Sequence, residues 1–124
     1  MGKYVVKKTA SGGYMFNLKA NNGEIIATSE DYTTLDNCLQ GCEAVRSAAP
    51  QAEVEDQTVE GAPVLKHPKF EMYVDKAGEF RFRLKARNGQ IIAASEGYVR
   101  KASCENGIDS VKRNADSEVE VIQD

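Results

Sequence analysis

The sequence predicts an α+β fold: two tandem β3-α-β repeats that share one antiparallel sheet, with both helices packed on a single face. Three observations carry that reading. Phe82 to Glu96 restates Phe16 to Glu30 at a shift of 66 residues, as from Gly23 to Gly89. Within each copy, apolar residues first alternate with period two, as strands do, and then recur at helical spacing. A lone three-stranded sheet with one helix buries little area, so about 58 residues per copy are marginal alone and the copies are expected to share one core.

The first repeat, residues 1–57, opens with a strand from Lys3 to Lys8, with Tyr4 and Val6 facing one way. Ser11-Gly12-Gly13 turns it into a second strand, Tyr14 to Ala20, and the chain returns through Ile25 to Ser29. Asn22-Gly23 between them predicts a two-residue type I′ turn, which needs positive φ at both central positions. Leu35, Cys38, Leu39, Cys42, Val45 and Ala49 then take helical spacing, with Thr33 or Thr34 as N-cap and Pro50 as the stop. Glu53 to Glu55 reads as a short final strand.

Residues 58–68 carry Gly61, Pro63, His67 and Pro68 with little periodicity and read as a linker. The second repeat, residues 69–124, follows the same plan. Phe70, Met72 and Val74 mark its first strand. A turn at Asp75-Lys76-Ala77-Gly78, with Gly78 left-handed, pairs Glu71 with Arg83 and Tyr73 with Arg81. Pairing outward from Asn88-Gly89 sets Ala86 opposite Ile91, Leu84 opposite Ala93 and Phe82 opposite Ser95. A helix is expected from about Lys101 to Asn114 and a last strand from Glu118 to Ile122. About 18 of roughly 47 positions match between the copies, which marks one duplication and not a solenoid.

A hydrophobic content of 41% and a charged content of 28% are ordinary for a soluble domain, and no apolar run reaches membrane-spanning length. Met1-Gly2-Lys3 leads directly into a strand, with no secretory leader or myristoylation context expected. Three cysteines without a regular framework fit a reducing cytoplasm, the expected location. The net charge of −3 conceals a basic stretch from 69 to 115, with ten Lys or Arg against six Asp or Glu, and an acidic tail at Asp116, Glu118, Glu120 and Asp124. A chain that binds nucleic acid with its whole surface would be more basic.

Several strings carry a family likeness. Asp75-Lys76-Ala77-Gly78-Glu79-Phe80-Arg81-Phe82-Arg83-Leu84-Lys85-Ala86, Asn88-Gly89, Ser95-Glu96-Gly97-Tyr98 and Ser103-Cys104-Glu105-Asn106-Gly107-Ile108 resemble the YegP-like family, small and mostly bacterial proteins of unassigned function. The likeness covers both repeats; the first is looser, with Asp36 to Cys42 in place of the last string. The resemblance implies that the final strands are exchanged between the repeats. It brings no catalytic residue, cofactor or substrate. Val99 stands where the family has Ser or Thr, which implies poorer capping of the second helix.

Reactive chemistry is thinly represented. Cys38 and Cys42 share a helix face and Cys104 is the later equivalent of Cys38. A zinc site needs more ligands, and a nucleophile needs a base that His67, between prolines, does not supply. They read as small core residues. Asn-Gly turns without a following helix and Lys-Ser/Thr do not form a phosphate loop. Ser29-Glu30 with Tyr32, and Ser95-Glu96 with Tyr98, read as junction seals: serine bonding the turn backbone, tyrosine closing the strand-helix corner. No catalytic residue, metal ligand or cofactor is assigned.

The sharpest feature is Arg81, Arg83, Lys85 and Arg87, which alternation places on the outer face of one strand over about 20 Å, with Tyr73 beside Arg81. Their first-repeat counterparts are Met15, Asn17, Lys19 and Asn21, so symmetry does not demand the charges. The plainer account is a solvated face balanced by Glu71 and other acids. The functional account makes Tyr73, Arg81, Arg83, Lys85 and Arg87 a polyanion-binding surface for nucleic acid, with weak affinity. The expectation is therefore a non-enzymatic module, monomeric with internal pseudo-twofold symmetry. Its expected role is protein interaction or structural, with the partner unidentified, polyanion binding as the alternative and no membrane association.

Overall fold

The computed structural model describes residues 2–122. Met1, Gln123 and Asp124, the last counted above in the acidic tail, lie outside the described residues. The elements follow in order as β1 (Lys3–Lys8), β2 (Tyr14–Lys19), β3 (Ile25–Thr28), α1 (Leu35–Ala48), a 3-10 turn at Ala49–Gln51 and β4 (Glu53–Asp56). The second repeat supplies β5 (Lys69–Val74), β6 (Phe80–Lys85), β7 (Ile91–Ala94), α2 (Lys101–Asn114) and β8 (Glu118–Val121).

All eight strands join one sheet in the order β4-β5-β6-β7-β3-β2-β1-β8. The final strand of each repeat lies against the first strand of the other, β8 on β1 and β4 on β5, so the strands are exchanged. Both exchanged pairs are parallel, which makes the sheet mixed rather than antiparallel. A parallel partner needs a crossover, and the helix before each final strand provides it. The repeats meet at β3 and β7 through a single antiparallel pair, Thr28 with Ala94.

Both helices cover the same face and each reaches strands of both repeats. One continuous core results, from Tyr4, Phe16 and Leu18 through Phe70, Phe82 and Leu84 to Cys38, Val45, Ile108 and Val111. Tyr4 meets Phe16 edge-on at 5.7 Å between ring centres, and Phe70 meets Phe82 likewise at 5.9 Å. Tyr4 also donates its hydroxyl to the Ala115 carbonyl at 2.7 Å, tying β1 to the end of the other repeat's helix. Thr34 caps α1 by accepting the Asn37 N–H at 3.1 Å, whereas α2 starts at Arg100 with no side-chain cap. The capping position is thus Thr34 and Arg100, one residue after Thr33 and Val99.

The turns correct the sequence reading. Among the described residues none other than glycine has positive φ, so Asn22-Gly23 and Asn88-Gly89 do not form type I′ turns. Gly12, Gly23, Gly78 and Gly89, all near φ +85, each close a turn by donating to the carbonyl three residues back. This is the three-residue hairpin loop with a left-handed glycine. Asn22 and Asn88 serve it differently, their Oδ1 atoms accepting the N–H of Glu24 and Gln90 at 3.0 Å.

The longer loop shifts the register. Leu84 opposes Ala93 as expected, but Lys85, not Ala86, opposes Ile91, with a bulge between Leu84 and Lys85. Ile92 therefore joins the core and Ile91 stands 43% exposed on the other face. Ile25 and Ile26 repeat the arrangement beside Lys19.

Candidate functional site

The helices leave the opposite face of the sheet open, and cross-strand partners identify what it presents. On the second repeat it carries Lys69, Glu71 and Tyr73 from β5, and Lys85, Arg83 and Arg81 opposite them on β6. Of the basic stripe, three members are already engaged. Arg81 Nε lies 2.6 Å from Asp75, Arg83 Nε 2.6 Å from Glu71, and Lys85 Nζ 3.4 Å from Glu71. The Arg83 guanidinium also stacks over Tyr73, 4.5 Å from its ring centre. Arg87 does not belong to the strand; β6 ends at Lys85 and Arg87 sits exposed in the following turn.

Sequence reasoning missed the centre of this face. Lys69, Glu55 and Glu71 are buried side by side, with Lys69 Nζ 2.6 Å from Glu55 and 3.3 Å from Glu71. The segment between β4 and β5 crosses over them. Its Leu65 N–H donates to Glu55 at 2.8 Å, Gln57 Nε2 donates to the same carboxylate at 2.7 Å, and the His67 ring reaches the turn at Gly89. Lys69, helped by Gln57 and Leu65, holds the Glu55 carboxyl down at about 2. Glu55, helped by Glu71, raises the Lys69 ammonium against its burial. Burial works to raise the Glu71 carboxyl, but Arg83 and Lys69 outweigh it and leave it lowered. Alternation marked these residues as facing away from the helices. Their burial depends on the path of a segment without periodicity, which no local pattern reveals.

The first repeat repeats the pair without the cover. Lys3 Nζ lies 2.8 Å from Glu120, at the places of Lys69 and Glu55, yet their side chains are 49% and 53% exposed against 4% and 6%. Val5 stands where Glu71 does and Asn17, which accepts the Thr28 hydroxyl at 3.0 Å, stands where Arg83 does. Lys7 and Lys19 make no ion pair among the described residues. Between the two halves a shallow depression of about 340 Å³ follows the β3–β7 seam, floored by Thr28 and Ala94 with Glu30 and Glu96 at its rim.

The remaining candidates have structural work. Cys38, Cys42 and Cys104 are fully buried, and burial pushes their thiols up to about 11, 12 and 11. Thiols so raised are protonated at neutral pH and poor nucleophiles. Ser29 and Ser95 accept the N–H of Phe16 and Phe82 at 2.9 Å and donate to the carbonyls of Glu30 and Glu96 at 2.8 Å. Tyr32 and Tyr98 bridge to Tyr14 and Phe80, closing the corners before the helices. Their hydroxyls lie against Gly41 and Gly107, which explains glycine inside both helices.

Comparison with known proteins agrees with this architecture. Residues 10–56 and 75–120 each match the domain of unknown function DUF1508. The chain is 41% identical to the UPF0339 protein YegP of Yersinia pestis over 119 residues, 96% of this chain and 93% of that one. The solution structure of YegP from Escherichia coli, described as a protein of unknown function, superposes with a TM-score of 0.79 at 36% identity, covering 97% of this chain and 91% of that chain. A UPF0339 protein from Shewanella oneidensis gives 0.80 at 32% identity, covering 97% and 90%.

Proposed function

The chain belongs to the DUF1508 family, and from that premise we propose that it is a non-catalytic interaction module whose working surface is the outer face of its first repeat. The observation that carries this reading is the unequal treatment of one ion pair. Lys69–Glu55 is sealed under a strap of the chain itself, while Lys3–Glu120 stands in the open at the matching place. A sheet face with apolar Val5 at its floor, and around it Lys7 and Lys19 that make no ion pair among the described residues, is suited to a partner. Buried, protonated thiols and a lone histidine on the strap support a role without chemistry.

The test compares capture from nuclease-treated bacterial lysate by the wild-type chain, by a Lys7→Glu/Lys19→Glu variant, and by Lys76→Glu as a control on a distant turn. Proteins retained by the wild type and the control but lost with the double variant are expected. Identical capture by all three would contradict the reading.

A further inference from the structure

We propose that the outer face of β8, β1 and β2 docks an extended acidic peptide segment of a partner protein. This rests on the interaction reading above and names its partner by chemistry. The second repeat supplies the template. There, two things complete the face: the carboxylate of Glu71, which meets Lys69, Arg83 and Lys85, and an extended strap whose Leu65 N–H donates to Glu55. In the first repeat Val5 takes the place of Glu71, so Lys3 and Lys19, at the places of Lys69 and Lys85, lack the shared carboxylate. Lys7, at the place of Tyr73, adds a third cation beside Val5 on the same strand.

A peptide side-chain carboxylate seated above Val5 meets Lys3, Lys7 and Lys19 together, and a peptide N–H beside it serves Glu120 as Leu65 serves Glu55. Lys3 and Lys19 already draw the Glu120 carboxyl below its ordinary value, Lys3 more strongly, so it is ionised and ready to accept. Nucleic acid fits less well. It brings phosphates against Glu118 and Glu120 at the sheet edge and has no backbone N–H to offer them. The chain's net charge of −3 opposes it further.

The experiment is a chemical-shift titration of the labelled full chain with the blocked peptide Gly-Glu-Val-Glu-Val-Glu-Gly, its Gln-for-Glu and Lys-for-Glu counterparts, and a short single-stranded DNA. The acidic peptide is expected to move the amides of β1, β2 and β8, with Kd on the order of 0.1–1 mM for so short a segment. Lys19→Glu should weaken it by about tenfold or more, as should Val5→Glu, which installs the carboxylate of the other repeat. Equal shifts from the Gln or Lys peptide would overturn the acidic partner and leave the interaction surface standing. Stronger shifts from the DNA at the same amides would make the partner a nucleic acid instead. No shift from any probe would overturn this inference, while the capture comparison judges the surface itself.

Discussion

Gly107 lies so close beneath Tyr98 that a Cβ on it would stand 2.7 Å from the phenol oxygen and 3.0 Å from the Phe82 ring. Replacing an exposed helical glycine with alanine ordinarily gains up to about 1 kcal/mol. Here Gly107→Ala should instead destabilise by about 1–3 kcal/mol, because the new methyl would press on both the corner tyrosine and the fully buried Phe82 ring. Urea denaturation measures it, and Tyr98→Phe in the same chain should recover part of the loss.

The covered ion pair makes acid stability predictable. Glu55 sits at about 2 in the folded chain against an ordinary 4.5, so its contribution is present above pH 4.5 and is lost as pH falls toward 2. Lys69, raised by Glu55, contributes below its ordinary 10.5 and loses that contribution above it. Denaturation curves should show a falling acid limb that flattens in Glu55→Gln. Lys69→Met, which leaves the buried Glu55 without a cation while Glu71 keeps Arg83 and Lys85, should cost about 3 kcal/mol.

A better cap should help the second helix. Arg100→Thr should stabilise by about 1 kcal/mol, since Thr34 makes the equivalent bond in α1. A rise in melting temperature checks it.

The repeats should not be separable. Residues 1–60 alone would leave β1 without β8 and β4 without β5, exposing the strand edges that those partners hydrogen-bond. The fragment should be unfolded or dimerise to regain the exchange. Analytical ultracentrifugation with a thermal melt decides, and a monomer that melts cooperatively would count against the exchange as the source of stability.

Much of this was legible because each element has its own signal. Alternation from Tyr14 to Ala20 marked a strand, Thr33-Thr34 marked a helix start, and the copy at Gly89 fixed the second hairpin by the first. The turns were misread because Asn before Gly serves two geometries. Asn22 can enter the left-handed region or bond the backbone ahead, and only the structure shows the second. That choice moved Ile91 out and Ile92 in. The parallel edge pairs and the strap depend on where distant segments go. The stripe of Arg81, Arg83 and Lys85 was visible as charge and Glu71 opposite Arg83 was expected, but Asp75 as the partner of Arg81 and the burial of Glu71 had to be seen in place. Because Glu71 is buried, Arg83→Glu should cost about 2–3 kcal/mol, where a solvated arginine would cost little.

The most direct test of the interaction surface is site-specific photo-crosslinking in bacterial cells. A benzophenone amino acid at Lys7, exposed on the outer face of β1, is compared with the same group at Glu105, exposed on α2. Discrete protein adducts from position 7 and none from position 105 are the expected result. Adducts from position 105 alone, or from neither, would contradict the assignment of the working surface to the outer face of the first repeat.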